Sequence, residues 1–113
     1  MATSLQSFST LKGAYIPTPF SISSPAEVEQ VLQDAVAASI LFSKKTFIER
    51  AEFLEAIANE IMELGDVLLE KTHEETALPL ARLTGERGRT CTQLKLYASL
   101  LRNGSWCDAV IDT

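Results

Sequence analysis

The sequence has few of the residues that build metal centres, disulfide scaffolds or nucleotide-binding turns. It holds only two cysteines and one histidine, whereas a disulfide scaffold needs several Cys pairs and a catalytic zinc site needs about three protein ligands. No glycine-rich phosphate loop and no G-x-S-x-G nucleophile turn is present. We therefore expect no metal site and no catalytic residue, and we interpret His73, Cys91 and Cys107 as structural.

Long apolar runs and an excess of basic residues are missing as well. No run approaches the ~20 apolar residues of a membrane span, and residues 1–23 lack the apolar core of a signal peptide. The net charge is -5, and residues 1–78 hold 12 acids against 5 bases. Nucleic-acid binding depends on clustered Lys and Arg, so we do not expect a nucleic acid as partner. Because long apolar runs are missing, we do not expect a membrane as partner either, and we predict a reduced, cytoplasmic protein.

What the chain does contain is the composition of one globular domain, mainly α. Of its 113 residues, 46% are hydrophobic and 22% charged. Residues 1–23 include Pro17 and Pro19, which predict an extended or irregular segment. Two capping boxes come next, each a Ser or Thr with Glu three residues later. They predict a first helix from Ser24 to about residues 43–45 and a second from Thr46 that ends at Gly65, as a left-handed residue.

Two further helices are predicted after Gly65. Asp66 is a candidate cap for a third helix that ends near Thr76, before Pro79. The fourth runs from about Leu80 to Leu101, with Asn103-Gly104 as its stop. Its Gly85 and Gly88 predict close approach of another backbone. Residues 105–113 set Trp106, Asp108, Val110 and Asp112 against Cys107, Ala109 and Ile111, and this period of two predicts a strand. Its partner is either the N-terminal segment or a strand beyond residue 113.

Several short motifs in the chain are informative together: Glu49-Arg50-Ala51, Glu75-Thr76-Ala77-Leu78-Pro79, Ala81-Arg82-Leu83, Gly85-Glu86, Gly88-Arg89-Thr90, Gln93-Leu94-Lys95-Leu96, Gly104-Ser105-Trp106 and Ile111-Asp112-Thr113. They resemble the N-terminal region of the aldehyde dehydrogenase superfamily, and within it most of all the alpha-ketoglutaric semialdehyde dehydrogenases. Two positions depart from the family pattern: Ala77 stands where such enzymes usually carry Gly, and residues 10–13 replace an Asn-Pro-Ala-Thr-Gly turn.

The resemblance implies an α/β parent enzyme that oxidises an aldehyde to its acid with NAD or NADP. In that family a Cys attacks the aldehyde and a Glu activates water, and neither motif occurs in this chain. By resemblance, residues 24–104 would be a helical layer of the cofactor-binding domain, and residues 105–113 would lead into the remainder of the polypeptide. The resemblance implies a homo-oligomer, with no cofactor held by this chain alone.

The same resemblance places the fourth helix at the border of a substrate tunnel. It makes Arg89, Glu86 and Gln93 candidate substrate-binding residues, with the Arg89 guanidinium suited to the distal carboxylate of an acid semialdehyde. The alternative for Arg89 is an ion pair with Glu86 or with a neighbouring domain. The alternative for the whole chain is a stand-alone helical module that binds a protein partner.

Overall fold

The structure, a computed structural model, describes residues 4–108 and confirms the mainly helical fold. A two-stranded hairpin precedes four helices. The elements are β1 (Ser4–Ser9), β2 (Ala14–Ser21), α1 (Pro25–Phe42), α2 (Phe47–Glu63), α3 (Gly65–Thr76) and α4 (Leu80–Asn103). Within the described range, no helix has the length and apolar content that crossing a bilayer requires.

Both predicted capping boxes are confirmed. The Ser24 Oγ accepts from the backbone N–H of Glu27, and the Glu27 carboxylate accepts in return from the Ser24 N–H at 2.7 Å. Thr46 and Glu49 form the same pair of bonds at the start of α2. These reciprocal bonds satisfy N–H groups that the first turn leaves without helical partners, which is why the sequence determines where both helices begin.

The core lies where α2, α3 and α4 pack together. Its buried apolar residues are Ala51, Ala58, Leu69, Leu83, Cys91 and Ala98. Small side chains at Ala58 and Ala98 allow α2 and α4 to approach closely, and the Cys91 thiol donates to the Ala58 carbonyl oxygen at 3.5 Å. Arg102 on α4 reaches across to Glu55 on α2, with Nη2 to Oε2 at 2.7 Å. These contacts hold α4 along α2.

The N-terminal segment is extended, as predicted, and its two strands pair with each other. β1 and β2 are antiparallel, with Ser9 opposite Ala14 beside the turn. That turn covers the carboxyl end of α3: the Thr10 N–H donates to the Glu75 carbonyl at 3.1 Å and the buried Ser9 hydroxyl to the Glu74 carbonyl at 2.8 Å. The hairpin therefore supplies donors to carbonyls that the last turn of a helix leaves unpaired.

α3 differs from the prediction at its start and is unusual at its end. Asp66 does not cap it, since the helix begins at Gly65 with no side-chain cap, and Gly65 has the predicted positive φ of 60°. At the other end Ala77 is left-handed, with φ 60° and ψ 12°. L-residues with a Cβ adopt this region at a cost, which is why glycine is the usual residue there.

The predicted strand over residues 105–113 is wrong at its beginning. Ser105–Cys107 is a single 3-10 turn, bounded by Gly104 with φ 69° and by Asp108 with φ 48°. The Trp106 ring packs on Phe47 of α2 with centroids 5.1 Å apart, which holds the turn against the helix. Residues 109–113 lie outside the described residues.

The use predicted for the two glycines inside α4 finds no support in the described residues. A Cβ added at Gly85 or Gly88 would meet no atom within 4 Å in the described part of the chain. Both positions lie in the half of α4 nearest its start, where the helix has an exposed polar face.

Candidate functional site

The candidate residues share one exposed face of α4. At ~100° per residue, positions 82, 86, 89 and 93 fall within about 60° of one another, and the structure leaves all four side chains exposed. The first two form an ion pair, with the Arg82 Nε 2.9 Å from the Glu86 Oε1. The predicted alternative, an ion pair between Arg89 and Glu86, is not formed among residues 4–108.

Arg89 and Gln93 lie together on an open groove of about 600 Å³, with Tyr97 one turn further along α4. Thr90 and Leu94 complete its lining. The groove therefore combines a guanidinium, an amide and a phenol, all hydrogen-bond donors, with an apolar floor. A carboxylate is a ligand that these donors suit, since Arg can bind it with two parallel N–H bonds.

Glu86 does not line this groove. It borders an adjoining cleft of about 350 Å³ between α2, α3 and α4, which shares Thr90 with the groove and is otherwise lined mostly by apolar residues. Arg87 also borders the cleft and donates from Nη1 to the Gly65 carbonyl at 2.8 Å, which ties α4 to the α2–α3 junction. Sequence periodicity places Arg87 on the packed face but gives no sign of the cleft, because a cleft depends on how three helices are arranged.

His73, Cys91 and Cys107 are found in three different surroundings. The His73 Nδ1 lies 2.7 Å from the Leu78 carbonyl, so this nitrogen carries a proton and bonds across the α3–α4 turn. Cys91 is buried in the core and Cys107 is exposed in the 3-10 turn. Within the described residues, no group of three or more His, Cys, Asp and Glu side chains is placed to hold a metal ion.

The carboxyl groups whose pKa values are shifted do not line the groove of Arg89 and Gln93. Lys45, together with the backbone and hydroxyl of Thr46, lowers the pKa of Glu49 to about 2. Lys12, then Lys71, lowers the pKa of Glu74, and Arg102 lowers that of Glu55. All three shifts favour the ionised form of a paired surface carboxyl. They therefore stabilise ion pairs and do not raise a carboxyl toward the range of a general base.

Comparison with known proteins identifies the family of this chain. The sequence model of the aldehyde dehydrogenase family matches residues 8–109. The chain belongs to the aldehyde dehydrogenase family. It is 46% identical over 112 residues to alpha-ketoglutaric semialdehyde dehydrogenase 2 of Azospirillum brasilense, with 98% of this chain and 21% of that protein covered.

A second relative gives the same result. The chain is 45% identical over 101 residues to alpha-ketoglutaric semialdehyde dehydrogenase of Acinetobacter baylyi, with 88% of this chain and 19% of that protein covered. The chain thus spans about a fifth of the length of these curated relatives. The family match includes the hairpin turn, the helical core and the groove on α4.

Proposed function

We propose that this chain is the N-terminal part of an NAD(P)-dependent aldehyde dehydrogenase that oxidises alpha-ketoglutaric semialdehyde to its acid. The observation that carries the proposal is the 46% identity to a relative of that name across 98% of the chain. Residues 24–104 would be a helical layer of the cofactor-binding domain. The remainder of the polypeptide and further copies of it are the proposed partners.

Exposed apolar surface supports a role as one layer of a larger protein. No residue of α1 is buried. Its Val28, Val31 and Leu32 lie within about 100° of one another around the helix, and they are 48%, 66% and 57% exposed. Monomeric proteins rarely leave a large apolar patch in water. In the proposed enzyme the remaining domains would cover this face of α1.

The dinucleotide is not assigned to residues of this chain. A pyrophosphate is commonly bound where a glycine-rich turn joins a parallel strand to the start of a helix. Within residues 4–108 the sheet is an antiparallel hairpin, and α1 begins at a Ser-Pro capping box rather than at a glycine-rich turn. These residues do not fit the cofactor, so we derive no catalytic step through it.

Substrate binding is the part of the reaction that we assign to this chain. In the proposed enzyme the Arg89 guanidinium binds the distal carboxylate of the acid semialdehyde, and the Gln93 amide donates beside it. The support is their shared groove and the absence of an ion-pair partner for Arg89 among the described residues. Charge-assisted hydrogen bonds of this kind contribute about 1.5–3 kcal/mol.

The assignment is tested in the full-length enzyme by Arg89→Met. Loss of the guanidinium should raise the KM for the acid semialdehyde about 10- to 100-fold, because each ~1.4 kcal/mol is a factor of ten. A neutral aldehyde of similar length should be much less affected. Lys95→Met is the matched control, since Lys95 is on the same helix but its charge acts on Glu55. Equal changes for both aldehydes in the Arg89 variant would refute the assignment.

The alternative function, a stand-alone helical module, is favoured by the same unburied face of α1. The two proposals differ in the gene sequence that they require downstream of residue 113. A reading frame that continues into a glycine-rich nucleotide-binding region supports the enzyme. A stop codon after Thr113 would favour the module and rule out the enzyme proposal.

A further inference from the structure

The ion pair between Arg82 and Glu86 bears directly on the charge of the neighbouring groove. On a helix, residues three and four apart are surface neighbours. Glu86 is therefore within reach of Arg82, four positions before it, and of Arg89, three positions after it. The structure shows it paired with Arg82, at 2.9 Å between Nε and Oε1.

Because Glu86 pairs with Arg82, the guanidinium of Arg89 keeps the groove positively charged. If Glu86 turned toward Arg89, its carboxylate would take up the guanidinium donors and cancel the charge that an acidic substrate needs. Glu86 lies three residues before Arg89 and is well placed to pair with it, since a Glu that precedes its basic partner on a helix has the better orientation. Arg82 is the group within the described residues that draws Glu86 the other way.

We infer that Arg82 is a positioning residue: by pairing with Glu86 it keeps Arg89 available for the substrate carboxylate. This inference rests on the proposed function of Arg89. It also changes the role expected for Glu86, from a residue that touches substrate to one that must be held away from it. Glu86 lining the cleft between α2, α3 and α4, and not the groove of Arg89 and Gln93, agrees with that role.

The test measures the ratio of the KM for the acid semialdehyde to the KM for a neutral aldehyde in the full-length enzyme. Arg82→Gln should raise this ratio about twofold to fivefold, the range that corresponds to an exposed ion pair. Adding Glu86→Gln to that variant should restore the ratio, because the competing carboxylate is gone. Arg82→Lys should keep it near the wild-type value, and Lys95→Gln controls for loss of one positive charge on α4.

Salt separates this effect from a structural one. Screening weakens pairs between exposed charges, so raising the ionic strength should shrink the difference between Arg82→Gln and wild type. An unchanged ratio in Arg82→Gln, with the ratio still raised in Arg89→Met, would overturn the inference and leave the proposed function standing. An unchanged ratio in Arg89→Met would overturn the proposed role of Arg89 and this inference together. Failure of Glu86→Gln to rescue would also overturn the inference.

Discussion

α1 and α2 begin with the same local signal and differ in packing. Each starts at a capping box, of Ser24 with Glu27 and of Thr46 with Glu49. Yet α2 buries Ala51 and Ala58 against α4, and α1 buries no residue. The comparison shows that a capping box decides where a helix begins, whereas burial depends on a complementary surface. Among the described residues, α1 meets such a surface at its last residue, where the Phe42 ring packs edge-on against Phe53 of α2 with centroids 5.6 Å apart.

The largest expected difference in the free energy of unfolding is between truncating an apolar side chain in the packed core and truncating one on α1. Leu83 on α4 is 4% exposed and Val31 on α1 is 66% exposed. Leu83→Ala should lower the free energy of unfolding by about 3 kcal/mol, because it leaves a cavity between the helices. Val31→Ala should change it by less than about 0.5 kcal/mol. Urea unfolding of the 113-residue chain, followed by circular dichroism, measures both. Equal losses would show that α1 is packed in solution.

A smaller contrast, opposite in sign, comes from placing glycine at two alanines. Ala77 is left-handed with φ 60°, so Ala77→Gly should stabilise the chain by about 1 kcal/mol by relieving the Cβ clash. Ala37 lies inside α1, where glycine should reduce helix stability by about 1 kcal/mol. Thermal unfolding of both variants checks the signs. A destabilised Ala77→Gly variant would contradict the left-handed conformation.

The smallest effect concerns pH. The pKa of Glu49 is lowered from 4.5 to about 2 in the folded protein, so its stabilising contribution is present above pH 4.5 and is lost as the pH falls toward 2. Glu49→Gln should therefore flatten that part of the acid unfolding curve. Trp106 fluorescence is a suitable probe, since this ring packs on Phe47 at the start of α2.

Glu27→Gln is the matched variant in α1, because the pKa of Glu27 is lowered too, first by its backbone bond to Ser24. It should reduce the helix signal above pH 4.5, where Glu27 of the wild type is ionised, and flatten the loss of that signal at lower pH, without moving the Trp106 transition. If Glu27→Gln moved that transition as much as Glu49→Gln, the distinction between a packed α2 and an unpacked α1 would be lost.

The parts of the fold that the sequence predicts well are those set by neighbouring residues. Both capping boxes, the positive φ at Gly65 and the helix stop at Gly104 depend on contacts within a few residues. The exposed face of α4 follows from helical spacing alone. The bond between His73 and the Leu78 carbonyl fits the structural role predicted for that histidine.

The parts that local patterns do not predict depend on residues far apart in the chain. The hairpin turn bonds to Glu74 and Glu75, more than sixty positions away, and no local pattern encodes that contact. The period of two in the sequence predicts a strand at Ser105–Cys107, but these residues form a 3-10 turn. Trp106 of this turn packs on Phe47, which is again a contact between residues far apart in the chain. Helical spacing puts Glu86 and Arg89 on one face of α4, so it cannot predict that Glu86 borders the cleft while Arg89 lines the groove. That difference depends on the positions of the side chains.

The measurement that tests the account most directly is NAD(P)H formation from alpha-ketoglutaric semialdehyde, with the 113-residue chain and the full-length polypeptide compared at equal concentration. We predict turnover by the full-length polypeptide and none by the chain alone, because the role proposed for this chain is substrate binding and the Cys and Glu motifs expected from the family resemblance do not occur in its sequence. Turnover by the chain alone would contradict this, since the nucleophile would then have to be Cys91, which is buried, or Cys107, which is exposed.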